Sequence, residues 1–181
     1  MGGGVLPASI RNGEPVFLFS REALERGYRD SGKWSDFGGS KEGKETQRDT
    51  AIREGSEEGA GLLGDPEDVE YLLDHQLAAT ITTHGYTTYV VYVPYWGGFP
   101  GEFRKIYKQA AKQQPDVVAA SNGLYEKDDA KWVSLKELCS RSSGLEFRQW
   151  YVRSGILGKL CRTDWSCLFE QDREHKEHSW R

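Results

Sequence analysis

Between Gly39 and Leu62 the chain reads GSKEGKETQRDTAIREGSEEGAGL, and this stretch constrains the fold more than any other. Glu54, Glu57 and Glu58 stand at i, i+3 and i+4, so on an α-helix turning about 100° per residue they share one sector. Ala51, Ile52, Gly55 and Gly59 fall in a different sector. One face therefore packs closely on a core while its neighbour carries a block of carboxylates. Like charges at this spacing destabilise a helix by about 0.2–0.5 kcal/mol per pair, and a cation is the natural compensation. Thr46-x-x-Asp49 has the form of a capping box, which predicts a helix starting near Thr46. Gly59-Ala60-Gly61 predicts its end, with two glycines to offer a left-handed cap.

Around this stretch the chain alternates strand and helix signals. Residues 4–10 and 16–20 read as short strands separated by the turn chemistry of Arg11-Asn12-Gly13-Glu14-Pro15. Residues 21–33 are a charged connection whose Arg21, Arg26, Arg29 and Lys33 read as a solvated loop or as cations for a phosphate. Asp65 to Asp68 reads as a turn, and 69–73 and 77–83 as strands. His84-Gly85 then makes a hairpin turn into the aromatic, β-branched run 86–95, which ends at Pro94. Residues 97–101 form a loop. Residues 102–114 form a helix with Phe103, Ile106, Tyr107, Ala110 and Ala111 on one face and Arg104, Lys105, Lys108 and Lys112 on the other. After an acidic cluster at Glu126, Asp128 and Asp129 come a strand over 131–135 and a helical turn at 136–138. Residues 147–160 have amphipathic helical spacing, weakened by Gly155 and Gly158. Residues 171–181 read as a charged, frayed tail. His75 and His84 read as strand or turn residues, and His175 and His178 as tail residues.

A chain of 181 residues suits one domain, here with a core over about 4–140 and a helical extension over about 145–170. The formal net charge of −4 argues against a general nucleic-acid coat but leaves room for a local basic groove along residues 102–114. Cys139, Cys161 and Cys167 are odd in number and lack CxxC spacing, which points to a reduced, intracellular setting. Apolar runs fall short of a membrane span, and the start MGGGVL lacks the basic and apolar regions of an export signal. The expectation is a soluble, cytoplasmic protein without a membrane partner, its oligomeric state open between monomer and homodimer.

Carboxylates at 54, 57 and 58 offer hard oxygen ligands suited to Mg²⁺ or Mn²⁺, ions that bind through a few carboxylates together with substrate phosphates. The spacing is also similar to the signature of the Nudix hydrolases: glycine, five residues, glutamate, seven residues, Arg-Glu, an aliphatic residue, any residue, Glu-Glu, any residue, glycine, aliphatic. The chain gives Gly39, Glu45, Arg53-Glu54 and Glu57-Glu58, every charged position in place over 23 residues. It departs at Gly55, Ala60 and Gly61, where the pattern has an aliphatic residue, glycine and an aliphatic residue. A glycine in mid-helix costs about 0.5–1 kcal/mol and forfeits core packing, while Gly59 or Gly61 stands in for the missing glycine at 60.

The resemblance implies an α+β fold of the α/β/α sandwich kind, with a mixed central sheet, the loop-helix of the box, a helical insertion and a C-terminal helix. It implies divalent-metal-dependent cleavage of a pyrophosphate bond in a nucleoside diphosphate linked to another group, with Mg²⁺ or Mn²⁺ as the ion. Glu57 and Glu58 would be metal ligands, Glu54 a ligand or the general base, and Gly38 a further ligand through its carbonyl. Arg53 would pair with Glu45 to hold the loop on the helix. Glu126 or Glu102 would be alternative bases. The run Trp34-Ser35-Asp36-Phe37-Gly38-Gly39 resembles the approach to the box in MutT-like enzymes. This makes Trp34 and Phe37, with Glu126, Asp128 and Asp129, candidates for holding a nucleobase. The insertion at 97–123 leaves a capped RNA end, a dinucleoside polyphosphate and a diphosphoinositol phosphate open as larger substrates, the acidic net charge favouring a small nucleotide over RNA. A Nudix-fold binding module without turnover is the reading from another class.

Overall fold

Strand β1 (Gly2–Arg11) lies at the centre of the architecture, because both of its edges and both of its faces are covered. A computed structural model describes residues 1–24, 29–119 and 125–178. On one edge β1 runs parallel to β6 (Tyr86–Tyr92), from Gly2 opposite Tyr86 to Ala8 opposite Tyr92. Its other edge is shared. The first half pairs antiparallel with β4 (Phe37–Ser40), and the second half with β2 (Glu14–Glu22). β7 (Lys127–Ser134) extends the sheet beyond β2, β5 (Leu77–Thr83) extends it beyond β6, and the two-residue β3 (Trp34–Ser35) pairs with β2. The result is a mixed, seven-stranded sheet.

The alternation of strand side chains divides the core in two. Val5, Leu18 and Val91 face α1 (Gln47–Glu58), α2 (Pro66–His75) and α3 (Phe99–Gln113), together with Phe37, Val69, Phe103 and Trp132. Leu6, Phe17, Phe19 and Val90 face the other way, onto Leu138, Tyr151, Ile156, Leu160 and Leu168. Those residues belong to α5 (Leu135–Cys139), α6 (Gln149–Arg153), α7 (Ile156–Leu160) and α8 (Ser166–His178), the short α4 (Pro115–Ala119) lying between α3 and β7. Helices thus cover both faces of the sheet, as the α+β sandwich reading expects.

Several boundaries and several whole elements differ from the sequence reading, β3, β4 and α4 among them. Residues 69–73, read as a strand, lie in α2: Asp65 and Asp68 form a reciprocal capping box with Pro66 in the first turn, and Val69 and Leu73 are buried. α3 starts at Phe99 rather than 102, and β7 starts at Lys127 rather than 131. The helix read over 147–160 is two helices, because Gly155 takes φ of 83° between them. The tail read as frayed is helical to His178, anchored where Leu168 is fully buried and Tyr92 donates a hydrogen bond to Asp172 at 3.2 Å. Cys139 and Cys161 form a disulfide between α5 and the end of α7, contrary to the reduced reading, while Cys167 is free. The Asn122-Gly123 pair lies outside the described residues.

The three departures in the box have structural answers. A Cβ on Gly55 would meet Val5 Cγ2 at 3.1 Å and Val69 Cγ1 at 3.2 Å, so the space of an aliphatic side chain is already filled from β1 and α2. Gly59 keeps helical backbone as the C-cap. Ala60 itself takes the left-handed conformation, φ 52°, at a cost of about 1–2 kcal/mol, and Gly61 follows at 73°.

Candidate active site

α1 begins as its sequence dictates, with the Thr46 hydroxyl accepting from Asp49 N–H and the Asp49 carboxylate accepting from Thr46 N–H. Two turns on, Arg53 projects over the loop before the helix and gathers the acids there. Its Nε donates to Glu45 Oε1 at 2.9 Å and Nη2 to Glu45 Oε2 at 3.3 Å. Nη1 reaches Glu57 at 3.0 Å, and Nη2 reaches Glu54 at 3.1 Å and the Ser40 carbonyl at 3.1 Å. Thr50 donates to Glu45 as well, at 3.0 Å. The Arg53 hydrogen bond leads the interactions that hold the Glu45 carboxyl down at about 2, so it is ionised throughout the neutral range.

Glu54 and Glu57 therefore lie on one edge of the helix against one guanidinium. The Glu54 carboxylate fits against bare backbone: a Cβ on Gly39 would sit 2.2 Å from its Oε1. Burial pushes its carboxyl up to about 7, Arg53 works against this, and the charges of Glu57 and Glu126 add to it. Glu126 is thus within electrostatic reach of Glu54, on the segment that leads into β7.

Glu58 turns the other way. One oxygen accepts from Gly38 N–H at 2.6 Å and the other lies 3.2 Å from Lys127 Nζ. Lys127 is fully buried and bonds Glu22 too, whose carboxylate takes Arg148 Nη1 at 2.7 Å; Arg148 in turn reaches Asp30 at 3.3 Å. Glu22 comes opposite Lys127 because the β2–β7 register shifts after Arg21. Burial raises the Glu58 carboxyl well above its ordinary value against the pull of Lys127. Burial lowers Lys127, but the charges of Glu58 and Glu22 outweigh it and hold the ammonium above its ordinary range. Beside this chain Asp36, fully buried, accepts from Thr88 at 2.7 Å and Tyr86 at 3.0 Å, and burial lifts it to about 6.

Glu45, Glu54 and Glu57 meet at Arg53, whereas Glu58 meets the Gly38 N–H and Lys127. The nucleobase candidates do not come together. Phe37 is fully buried with its ring edge-on to Phe103 at 6.0 Å, a core residue rather than a binding surface. Trp34 is buried too, with the Arg21 guanidinium 5.8 Å above its ring. Arg21 Nε bonds Asp128 at 2.7 Å, and Arg104 bonds Asp129 at 2.8 Å, so both aspartates already have cations. Glu102 pairs with Lys105 on α3. Lys127, Glu22, Asp36, Thr88 and Arg148 escaped the sequence reading. The one signal was an aspartate inside the otherwise apolar and small run from Trp34 to Gly39.

The donors suit a hard divalent cation in kind: carboxylate oxygens at one helix edge beside a glycine loop. Among the described residues no group of three or more His, Cys, Asp or Glu stands arranged to hold an ion, since Arg53 spans Glu54 and Glu57 and Glu58 is occupied elsewhere. No described helix is long and apolar enough to cross a membrane.

Loop, helix α1 and the mixed sheet together frame the acids of the box. No family model matches the chain. An uncharacterized protein of Acanthamoeba polyphaga mimivirus is 46% identical over 61 residues, 33% of this chain and 20% of that protein, so the match spans a fifth of that relative's length. Similar solved structures include a Nudix hydrolase from M. Smegmatis (TM-score 0.48, 15% identity, 88% of this chain and 83% of that one). A C. elegans Ap4A hydrolase binary complex is similar at TM-score 0.48 and 14% identity, over 88% and 92% of the two chains. The NUDIX domain of Shewanella oneidensis NrtR complexed with ADP ribose follows at 0.45 and 10%, over 89% and 86%. These likenesses are distant, and the functional reading rests on the residues of the box.

Proposed function

We propose that the chain is a divalent-metal-dependent hydrolase that cuts a pyrophosphate bond in a nucleoside diphosphate linked to another group. The observation that carries this reading is the convergence of Glu45, Glu54 and Glu57 on Arg53 beside Gly39, with every charged position of the box in place.

Glu54 and Glu57 are the carboxylates that would hold Mg²⁺ or Mn²⁺, and the ion when bound neutralises the pyrophosphate and lowers the pKa of an attacking water. Arg53 fixes both side chains and, through Glu45, ties the preceding loop to the helix that carries them. Glu126, whose charge acts on Glu54, would take the proton of the water. Water oxygen bonds to phosphorus, the bridging P–O bond breaks, and its electrons leave with the departing phosphate. Asp128 and Asp129, paired as they are, hold Arg21 and Arg104 rather than reading a base directly. The pairing of Arg104 and Lys105 supports a small nucleotide over RNA as the substrate class.

The test is a panel of nucleoside triphosphates, dinucleoside polyphosphates, nucleotide sugars, capped RNA and inositol pyrophosphates, incubated with Mg²⁺ and with a chelator. Mg²⁺-dependent release of phosphate or a nucleoside monophosphate from a small nucleotide is expected. Tight binding with no turnover anywhere on the panel would replace this reading with a binding module.

A further inference from the structure

On the face of the sheet opposite α1, a cavity of about 620 Å³ lies between α5, the segment 141–147 and the α6–α7 pair. Sites for small molecules span about 300–1,000 Å³. The wall is mostly aliphatic, formed by Leu138, Leu145, Val152 and Leu157 with the single ring of Phe147. Val152 stands 52% exposed there despite its apolar side chain. Gly155 and Gly158, the two residues that weaken the helical spacing of 147–160, both line the cavity. Gly155 divides the helix, and Gly158 leaves bare backbone beside the Arg162 guanidinium: a Cβ at 158 would stand 3.2 Å from Nη1. Arg162 and Arg141 are the cations of the lining, and neither has an acid partner among the described residues. The carboxylate at the same rim, Glu146, is taken by Lys33 at 2.7 Å. The Cys139–Cys161 disulfide, with Cα atoms 5.5 Å apart, ties together the two segments that carry these arginines.

We propose that this cavity is a binding site for an amphipathic anion, a single aliphatic chain with a carboxylate head. The chain would lie on the Leu–Val wall, and the head would take the guanidinium of Arg162 or Arg141, whose planar fork matches a carboxylate. A cationic amphiphile would meet two like charges, and a neutral one would leave both arginines without an acid. The wall suits a flexible chain rather than a planar ring, since the Phe147 ring already stacks on Tyr151 at 6.3 Å and 16°. Gly158 is then a glycine for space: it gives up helix propensity and leaves room for the guanidinium and the ligand. The site is separate from the acids on α1, and it stands or falls independently of the hydrolase reading.

The experiment titrates decanoate, below its micellar concentration, into the full chain by calorimetry, with decyltrimethylammonium and decanol as chains of the same length. Saturable binding of one decanoate per chain is expected, at least about tenfold tighter than the decyl cation. Gly158→Leu should fill the cavity and weaken decanoate binding at least about tenfold, while Tm stays at or above the wild type because leucine is the better helix former. If Gly158→Leu lowers Tm, Val152→Asp on the exposed wall takes its place, with the same loss expected. Arg141→Gln combined with Arg162→Gln should weaken decanoate at least about tenfold and leave decanol within about threefold. Absence of saturable decanoate binding, several decanoates per chain, or equal affinity for the decyl cation would overturn the proposal. Unchanged affinity in the folded wall variant or in the double arginine variant would overturn it too. Each of these outcomes leaves the test of Mg²⁺-dependent turnover untouched.

Discussion

Arg53 and Glu45 meet through two parallel contacts, Nε to Oε1 at 2.9 Å and Nη2 to Oε2 at 3.3 Å. The fork matters because the same guanidinium touches Glu54 and Glu57, so the loop acid sets the position of both site carboxylates. Lysine keeps the charge but has no planar fork. Arg53→Lys is expected to lower kcat by about 10–100-fold with a smaller change in KM. Steady-state kinetics on the best substrate of the panel checks this, and unchanged kcat would contradict it.

The packing of α1 yields a stability prediction. Gly55 meets Val5 and Val69 where a Cβ would have only 3.1–3.2 Å, so Gly55→Leu overpacks the helix against β1 and α2. It should destabilise the fold by about 1–3 kcal/mol in denaturant titration, despite the better helix propensity of leucine. A stabilised variant would show that the space is larger than this geometry allows.

Asp36 sets a pH dependence. Burial lifts its carboxyl from an ordinary 3.8 to about 6, against the hydrogen bonds of Thr88 and Tyr86 and the charges of Lys127 and Arg148. Between these values the native state holds a proton that the unfolded chain has released. The group's contribution to stability is therefore full below about pH 4 and lost as pH rises through about 6. Asp36→Asn cannot ionise. Its Tm relative to the wild type should rise across that window, by the equivalent of at most about 3 kcal/mol. A constant difference from pH 4 to pH 7, on the order of those two limits, would count against the raised carboxyl.

The basic face of α3 has a quantitative limit. Arg104 is taken by Asp129 and Lys105 by Glu102, so at most Lys108 and Lys112 remain of the four cations. Two phosphate contacts to a single strand give a log–log salt slope of about −1.4. A slope steeper than about −3 in an RNA titration would restore the groove reading.

How much of this was legible follows from the distance over which each feature is decided. The helix start at Thr46, the His84-Gly85 turn and the order of box acids are local, and they stand where the spacing puts them. α2 was legible in principle: Asp65-Pro66-Glu67-Asp68 is a capping box with proline in its first turn, but the short apolar run after it also has strand character. The pairs around the site were not legible. Glu58 meets Lys127, Asp36 meets Thr88, and Arg21 meets Asp128 across strands that only the sheet order brings together. The resemblance of the Trp34–Gly39 run offers Phe37 as a nucleobase candidate, whereas strand alternation turns it into the core. The tail looked frayed by composition, but Leu168 and Asp172 recur on one face and dock it.

The central claim is tested most directly by Glu57→Gln. Glu57 is half-buried beside Arg53, and its loss removes a site carboxylate without emptying a core position. Mg²⁺-dependent turnover of the best panel substrate should fall by at least about 10³-fold, with Tm within about 3 °C of the wild type. Turnover within tenfold of the wild type, on the order of a 1.4 kcal/mol change, would contradict the account.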